Sequence, residues 1–262
     1  MSPTPSDASP TPPRTVAVPA ATRVRWLVLA MLFTVTTINF ADRATLSIAG
    51  ADIRKAFDLS PVQMGYIFSA FAWSYVLAQL PGGWLLDRFG SKTTYFFSLT
   101  LWSLFTLFQG AVGFLTGGVA VAALFVLRLA LGAAEAPSFP GNGRITSAWF
   151  PANERGLASA IFNSAQYFAT ALFAPVMGWL VHTFGWQSVF YVMGCLGLAL
   201  ALAWNKVIYG PRAHPWVNQA EIDYIQAGCR ARCSTPLATR PGLRRRSSSA
   251  TSCRRPGASP GH

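Results

Sequence analysis

Residues 24–49 read VRWLVLAMLFTVTTINFADRATLSIA, an apolar run interrupted beyond its first turn only by the adjacent charges of Asp42 and Arg43. A helix crosses the hydrocarbon core of a bilayer with about 20 mostly apolar residues, so this run is long enough to span a membrane. A charge near the centre of such a helix costs about 2.5–3.5 kcal/mol even on insertion scales. The stretch therefore predicts a membrane helix that keeps two charged side chains for a function.

Five further apolar runs follow the first, and the fourth carries a second pair of charges. Arg128 and Glu135 are seven residues apart there, so they share one face of a helix and lie about 10 Å apart along its axis. Lipid-exposed backbone must be paired internally, and these runs lack the period-2 pattern of strands. The predicted fold class is an all-α membrane protein with six transmembrane helices, at residues 24–49, 61–85, 92–113, 118–139, 156–181 and 186–208.

The composition of the chain agrees with lipid as its solvent. Of its 262 residues 52% are hydrophobic and only 11% are charged, whereas a soluble domain carries about 25% charged residues. Eight arginines and no acid in residues 229–262 account for most of the net charge of +12. The rest of the chain is only mildly basic, so we expect no nucleic-acid partner.

The chain offers no pattern typical of a metal site, a cofactor or catalysis. It has no paired CxxC and no H-E-x-x-H, so we expect no metal and no cofactor. A serine protease of the intramembrane type needs a histidine within a span, and His182, His214 and His262 all lie outside the spans. The sequence therefore argues against an enzyme.

The charged and Pro-rich segments define the domain organisation. Residues 1–23 have no apolar core and are interpreted as a disordered cytoplasmic leader rather than a signal peptide. Residues 24–208 form the six-helix half-domain, 209–228 a cytoplasmic juxtamembrane linker, and 229–262 an Arg/Ser/Pro-rich tail that we expect to be disordered. With the N-terminus inside and the tail 229–262 left out of the count, nine Lys and Arg residues fall on the inner side and three on the outer side, which predicts cytoplasmic termini.

Three interpretations of the tail compete. In the first, the tail is a genuine basic extension that meets anionic lipid. In the second, it binds nucleic acid, although no aromatic interleaving supports that. In the third, it is an out-of-frame translation of a GC-rich gene. We favour the third, because shifted codons in GC-rich DNA yield the Arg, Pro, Ala, Gly and Ser that make up residues 229–262.

The link between the second and third spans carries the most specific motif. Residues 83–92 read GWLLDRFGSK, which resembles the G-x-L-x-D-R-x-G-x-K loop of the major facilitator superfamily. Glycines allow a tight turn, and an aspartate there can accept from the neighbouring arginine or from the positive end of a nearby helix. The resemblance implies a conformational gate made of Gly83, Asp87, Arg88 and Gly90.

Four more segments resemble the anion:cation symporter family within that superfamily. They are NFADRATLSIAG at 39–50, RLALGAAEAPSFPGN at 128–142, AWFPANERG at 148–156 and FNSAQY at 162–167. Among that family they are most similar to bacterial glucarate/galactarate permeases, which are proton-coupled importers of sugar diacids. The resemblance covers residues 24–226, one six-helix half of such a carrier, and implies a multi-pass protein of the bacterial inner membrane.

The resemblance also implies roles for the buried polar residues. A carboxylate cargo needs a fixed cation, which the planar fork of arginine provides, and proton coupling needs acids whose pKa is raised by burial. By resemblance Asp42 and Glu135 are proton sites. The substrate-binding residues are Arg43, Arg128, Tyr75, Gln166 and Asn39.

Simpler interpretations of these residues stay open. Arg128 and Glu135 could form a structural ion pair, Arg43 could snorkel to the outer headgroups, and Asp42 could pair with Arg43. Tyr75 and Gln166 could serve packing alone. Phe40 stands where the family often has tyrosine, which removes one hydroxyl from the site.

The expected partners are an organic anion, protons, the lipid bilayer, and either a missing C-terminal six-helix half or a second copy of the chain. Alternatives to a symporter half are a half-size carrier that dimerises and a membrane scaffold that does not transport.

Carriers of this type rock one half against the other around a shared site. We therefore expect that this chain alone does not transport sugar acids. Uptake of labelled glucarate into vesicles that contain only the purified chain measures this directly, and accumulation above that of empty vesicles would contradict it.

Overall fold

In the computed structural model, residues 22–211 and 214–234 are described, and helices account for most of them. There is no strand within these ranges, and the predicted all-α fold class is confirmed. A 3-10 turn, Val112–Phe114, joins the third and fourth helices. The helices are α1 Val24–Ala56, α2 Pro61–Phe89, α3 Ser91–Ala111, α4 Gly117–Glu135, α5 Ser138–Trp149, α6 Arg155–Phe184, α7 Trp186–Val207 and α8 Gln219–Ser234.

Six long helical stretches correspond to the six predicted spans. Five of them are apolar and long enough to cross a membrane: α1, α3 with its following turn, α4 joined to α5, α6 and α7. The sixth, α2, has 29 residues and so extends about 43 Å, but its Trp, Tyr, Gln and Pro residues make it less apolar. Its exposed side chains include Trp73, Val76, Leu77 and Leu80, which suit a lipid or protein environment better than water.

The fourth span differs from the prediction. We expected one helix over 118–139, whereas α4 ends at Glu135, a turn covers residues 136–137, and α5 continues from Ser138 to Trp149. Pro137 and Pro140 are compatible with helix α5 because they lie at its start, where a helix tolerates residues without an N–H. Glu135 therefore lies near the middle of a 33-residue helical stretch.

Close approach of α2 and α4 depends on one glycine. A Cβ at Gly132 would collide with the hydroxyl of Ser74 and the carbonyl oxygen of Phe71. Small residues at helix crossings allow backbones to approach in membranes, where packing rather than water drives association. This contact brings the polar residues of α4 against α2.

The side chain of Glu221 links α8 to the start of α1. The buried carboxylate of Glu221 accepts from the Thr22 hydroxyl at 2.5 Å and from the backbone N–H groups of Val24 and Arg25 at 3.3 and 3.2 Å. The N-cap residue of α1 makes no side-chain cap of its own, so α8 satisfies these donors and places negative charge at the helix N-terminus.

The structure can be compared with the predicted linker at 209–228 and, in part, with the predicted leader and tail. The start of α1 and α8 lie at one end of the bundle, and α8 begins inside the predicted 209–228 linker and continues past its boundary to Ser234. The predicted leader up to residue 21 and the tail from residue 235 lie outside the described residues.

The α2–α4 contact gives a testable expectation. Gly132→Ala should lower the free energy of unfolding by about 1–3 kcal/mol, because the added methyl group overpacks the helix crossing. Unfolding by sodium dodecyl sulfate in mixed micelles, followed by circular dichroism, measures the change. The control is Gly65→Ala in α2, where a Cβ meets nothing within 4 Å and where alanine favours the helix. Equal destabilisation by the two variants would contradict the expectation.

Candidate functional site

One face of α1 lines a cavity of about 240 Å³ inside the bundle. Thr36, Asn39, Phe40 and Arg43 recur at i, i+3, i+4 and i+7, which places them on one side of the helix. The remaining wall comes from α2, α3, α5 and α6 through Tyr75, Gln79, Tyr95, Ser138, Phe139, Asn142, Phe162 and Asn163. The cavity is therefore mostly aromatic and neutral polar, with Arg43 as the cation in its lining.

Arg43 is fixed at this cavity by an ion pair and by aromatic rings. Its Nε donates to Oε1 of Glu135 at 2.8 Å; the Glu135 side chain is 1% exposed and that of Arg43 is 26% exposed. The guanidinium lies 5.0, 5.2 and 4.6 Å from the ring centres of Phe40, Phe71 and Tyr75, at the distance of cation–π contacts. Arg43 thus turns into the bundle rather than snorkelling outward. We call Phe40, Phe71 and Tyr75 the aromatic cage.

Asp42 faces a different helix from its neighbour in sequence. Its Oδ2 accepts from Nε1 of Trp102 at 2.9 Å and from the hydroxyl of Thr106 at 3.1 Å, both on α3. Among the described residues Asp42 forms no ion pair with Arg43. Trp102 and Thr106 were missed in the sequence, although an indole and a hydroxyl one turn apart in an apolar span are a signal for a buried acceptor.

Arg128 is the other buried cation. It is 3% exposed, its Nε has no hydrogen-bond partner, and it is stabilised electrostatically by Asp42 and Glu135. No hydrogen bond or ion pair to Arg128 occurs within the part of the chain that the structure describes. The structural ion pair between Arg128 and Glu135 is therefore not found, because Glu135 pairs with Arg43 instead.

The other predicted substrate-binding residues fall into two groups. Tyr75 and Asn39 line the cavity, and Asn39 lies next to the Glu135 carboxylate. Gln166 is half-buried on α6 and is not part of the lining, whereas Asn163, one turn earlier, is. Gln79 was also missed in the sequence.

The predicted gate is joined to α5. Asp87 forms an ion pair with Arg144 rather than with Arg88, and Arg88 stacks over Trp84 instead, 5.4 Å from its ring centre. Gly90, with φ of 80°, is the single residue between α2 and α3, a conformation that favours glycine.

Gly82, the residue before the predicted gate, lies at the contact between α2 and the start of α5. A Cβ at Gly82 would lie 3.2 Å from the ring of Pro137, whereas Gly83, the glycine of the motif, has nothing within 4 Å. The close approach of α2 to the start of α5 therefore depends on Gly82. Within residues 22–211 and 214–234 no cluster of His, Cys, Asp or Glu could hold a metal ion.

Comparison with known proteins connects this arrangement to transport. The family model described as Major Facilitator Superfamily matches residues 32–251. The chain is 60% identical over 207 residues to the probable galactarate/D-glucarate transporter GudP of Bacillus subtilis (strain 168), covering 79% of this chain and 46% of that protein. It is 58% identical over 212 residues to GudP of Escherichia coli (strain K12), covering 81% and 47%. The chain thus spans about half the length of the curated relatives it matches.

Solved structures show the same fold at low sequence identity. The inward-open xylose transporter XylE from Escherichia coli superposes with a TM-score of 0.65 at 14% identity, over 81% of this chain and 57% of that one. A bacterial homologue of the human lysosomal transporter Spinster gives 0.61 at 23% identity, over 76% and 47%.

The Arg43–Glu135 pair should be energetically coupled. In a double-mutant cycle of Arg43→Gln and Glu135→Gln we expect a coupling energy of about 1–3 kcal/mol, because each single change leaves the partner charge buried. Unfolding by sodium dodecyl sulfate provides the four free energies.

The matched control for this cycle is the pair of Asp87 and Arg144, whose side chains are 78% and 44% exposed. Water screens an exposed pair, so its coupling should lie within about 0–1 kcal/mol. Equal coupling energies in the two cycles would contradict the expectation that burial strengthens the Arg43–Glu135 pair.

Proposed function

Since this chain belongs to the major facilitator superfamily, we propose that it forms the cargo- and proton-binding half of a symporter for a sugar diacid such as D-glucarate or galactarate. The observation that carries the proposal is the position of Arg43, which lines the cavity while it is paired with the buried carboxylate of Glu135. The relatives named above as probable galactarate/D-glucarate transporters support this class of cargo.

The pairing of Arg43 with Glu135 provides a way to couple the two ligands. A carboxylate of the cargo competes with Glu135 for the same guanidinium, because arginine binds carboxylates through the same donors in both cases. A proton on Glu135 removes that competition, since a neutral carboxyl group is a weaker partner for a cation. Proton and anion therefore bind together more readily than either binds alone.

Asp42 and Arg128 provide the second acid and the second cation. Trp102 and Thr106 fix one oxygen of Asp42. Arg128 interacts electrostatically with both acids, and among the described residues its Nε has no hydrogen-bond partner. A buried guanidinium with unfilled donors is costly, so an approaching anion stabilises it. Protonation of Asp42 leaves the charge of Arg128 less compensated and increases its attraction for the cargo.

The neutral residues of the cavity suit the rest of a sugar acid. Hydroxyl groups need both donors and acceptors, and the side chains of Tyr75, Gln79, Asn39 and Asn142 offer both. Gln166, which lies one turn from the lining, can reach such a cargo only after a shift of α6 or of its own side chain.

The membrane setting completes the proposal. We place the protein in the bacterial inner membrane with cytoplasmic termini, which the distribution of Lys and Arg supports. A second six-helix body, either a C-terminal half or a second copy, provides the opposite wall of the cavity. Apolar side chains exposed on α2 and α6, such as Leu80 and Trp179, are suited to a lipid or helical neighbour. Transport of the bound cargo, rather than its chemical conversion, is the proposed activity.

Binding to the purified chain in lipid nanodiscs tests this function. Equilibrium dialysis with labelled D-glucarate should show saturable binding that weakens at least about tenfold in Arg43→Gln, because a charge-assisted contact contributes about 1.5–3 kcal/mol. Arg144→Gln is the control, since Arg144 pairs with exposed Asp87 and does not line the cavity.

The pH dependence of the same assay tests the coupling. If protons bind with the anion, binding is reciprocal, and the affinity for glucarate falls as pH rises. Replacing both acids, in the double variant Asp42→Asn and Glu135→Gln, should flatten that dependence. Absence of saturable binding, or equal binding in Arg43→Gln and Arg144→Gln, would refute the proposed function.

A further inference from the structure

The hydroxyl of Thr36 differs from those of the other threonines hydrogen-bonded on α1. Thr34, Thr37 and Thr45 each donate to the carbonyl oxygen four residues earlier, at 2.9, 2.9 and 3.3 Å. Within the described part of the chain Thr36 donates no hydrogen bond, and its Oγ1 instead accepts from Nδ2 of Asn142 at 3.2 Å. A hydroxyl can donate and accept at once, so Thr36 keeps a donor for a further partner.

Asn142 is held in this orientation from its other side. The hydroxyl of Tyr95 donates to Oδ1 of Asn142 at 2.8 Å, which leaves the amide nitrogen facing Thr36. Tyr95, Asn142 and Thr36 are 1, 4 and 6% exposed, lie on α3, α5 and α1, and all line the cavity. We call these three residues the polar chain. It fixes the position of a spare donor at the wall of the cavity.

The polar chain lies at a defined distance from Arg43. Thr36 and Arg43 are seven residues apart on the same face of α1, which is two helical turns or about 10 Å. Asn39 lies between them on that face. A six-carbon acid has five carbon–carbon bonds of about 1.5 Å each, so its extended chain fits between the two positions. A three-carbon acid has only two such bonds and is much shorter than this separation.

We propose that Thr36 contacts the end of the cargo remote from Arg43, and that Asn142 and Tyr95 are positioning residues that hold it there. This inference rests on the proposed function. At the end of the site remote from Arg43, the neutral hydroxyl of Thr36 donates a hydrogen bond to an oxygen atom of a long polyhydroxy acid. The site thereby selects long acids over short ones, while Arg43 binds the carboxylate that both share.

The test compares a long and a short acid on the purified full chain in nanodiscs. Labelled D-glucarate and labelled D-glycerate are measured by equilibrium dialysis against wild type and Thr36→Val, which removes the hydroxyl at nearly constant shape. We expect the affinity for glucarate to fall about tenfold, the usual loss for one hydrogen bond near 1.4 kcal/mol. The affinity for glycerate should change less than about twofold.

Three further variants separate contact from packing. Thr36→Ser keeps the hydroxyl and should restore glucarate binding. Thr34→Val removes an exposed hydroxyl of the same helix that donates to the carbonyl oxygen of Ala30, and should change neither affinity. Asn142→Ala should weaken glucarate binding when it is introduced alone. In the Thr36→Val background it should cause little further loss of affinity, because Asn142 acts through Thr36.

The outcomes distinguish this inference from the proposed function. A glucarate affinity in Thr36→Val within about twofold of wild type, or an equal loss for both acids, overturns the inference and leaves the function standing. If the wild-type chain binds neither acid, the proposed function fails and the inference fails with it.

Discussion

The bilayer makes an unpaired charge costly, and the centre of this molecule is arranged around that constraint. Arg43 and Glu135 come from α1 and α4, which are distant in the chain, and they meet at 2.8 Å across the cavity wall. The aromatic cage covers the guanidinium with ring faces, so the cation is partly withdrawn from lipid and still directed at the cavity. Helix packing must place these two helices at the right rotation for the pair to form.

That rotation explains why adjacent charges have different surroundings. Consecutive residues of a helix point about 100° apart, so Asp42 meets α3 when Arg43 meets α4. Asp42 is held by two neutral donors, whereas Arg43 is held by an opposite charge. Asp42 is therefore held by neutral side chains of α3, whereas Glu135 is held by Arg43, the cation that an anionic cargo would also need.

The apolar pattern was sufficient to predict the six long helical stretches and to single out Asp42, Arg128 and Glu135, which are buried, and Arg43, which is partly buried. It could not assign the pairs, because pairing depends on helix rotation and on which helices cross. The sequence suggested pairs of Arg128 with Glu135 and of Asp42 with Arg43, and neither pair forms among the residues that the structure describes. α5 was missed because Pro137 and Pro140 are typical of a break, and only their place at a helix start makes them compatible with one. The polar chain could not be foreseen, since Tyr95, Asn142 and Thr36 belong to three separate segments.

The joined helices α4 and α5 have a mechanical consequence. Helix α5 has 12 residues and is about 18 Å long; the ion pair of Arg144 with Asp87 ties its far half to the glycine-rich motif. Its near end follows directly after Glu135, where Gly82 packs on Pro137. A short helix that contacts its neighbours near both ends moves as one body, so a tilt of α5 displaces the surroundings of Asp87 and of Glu135 together.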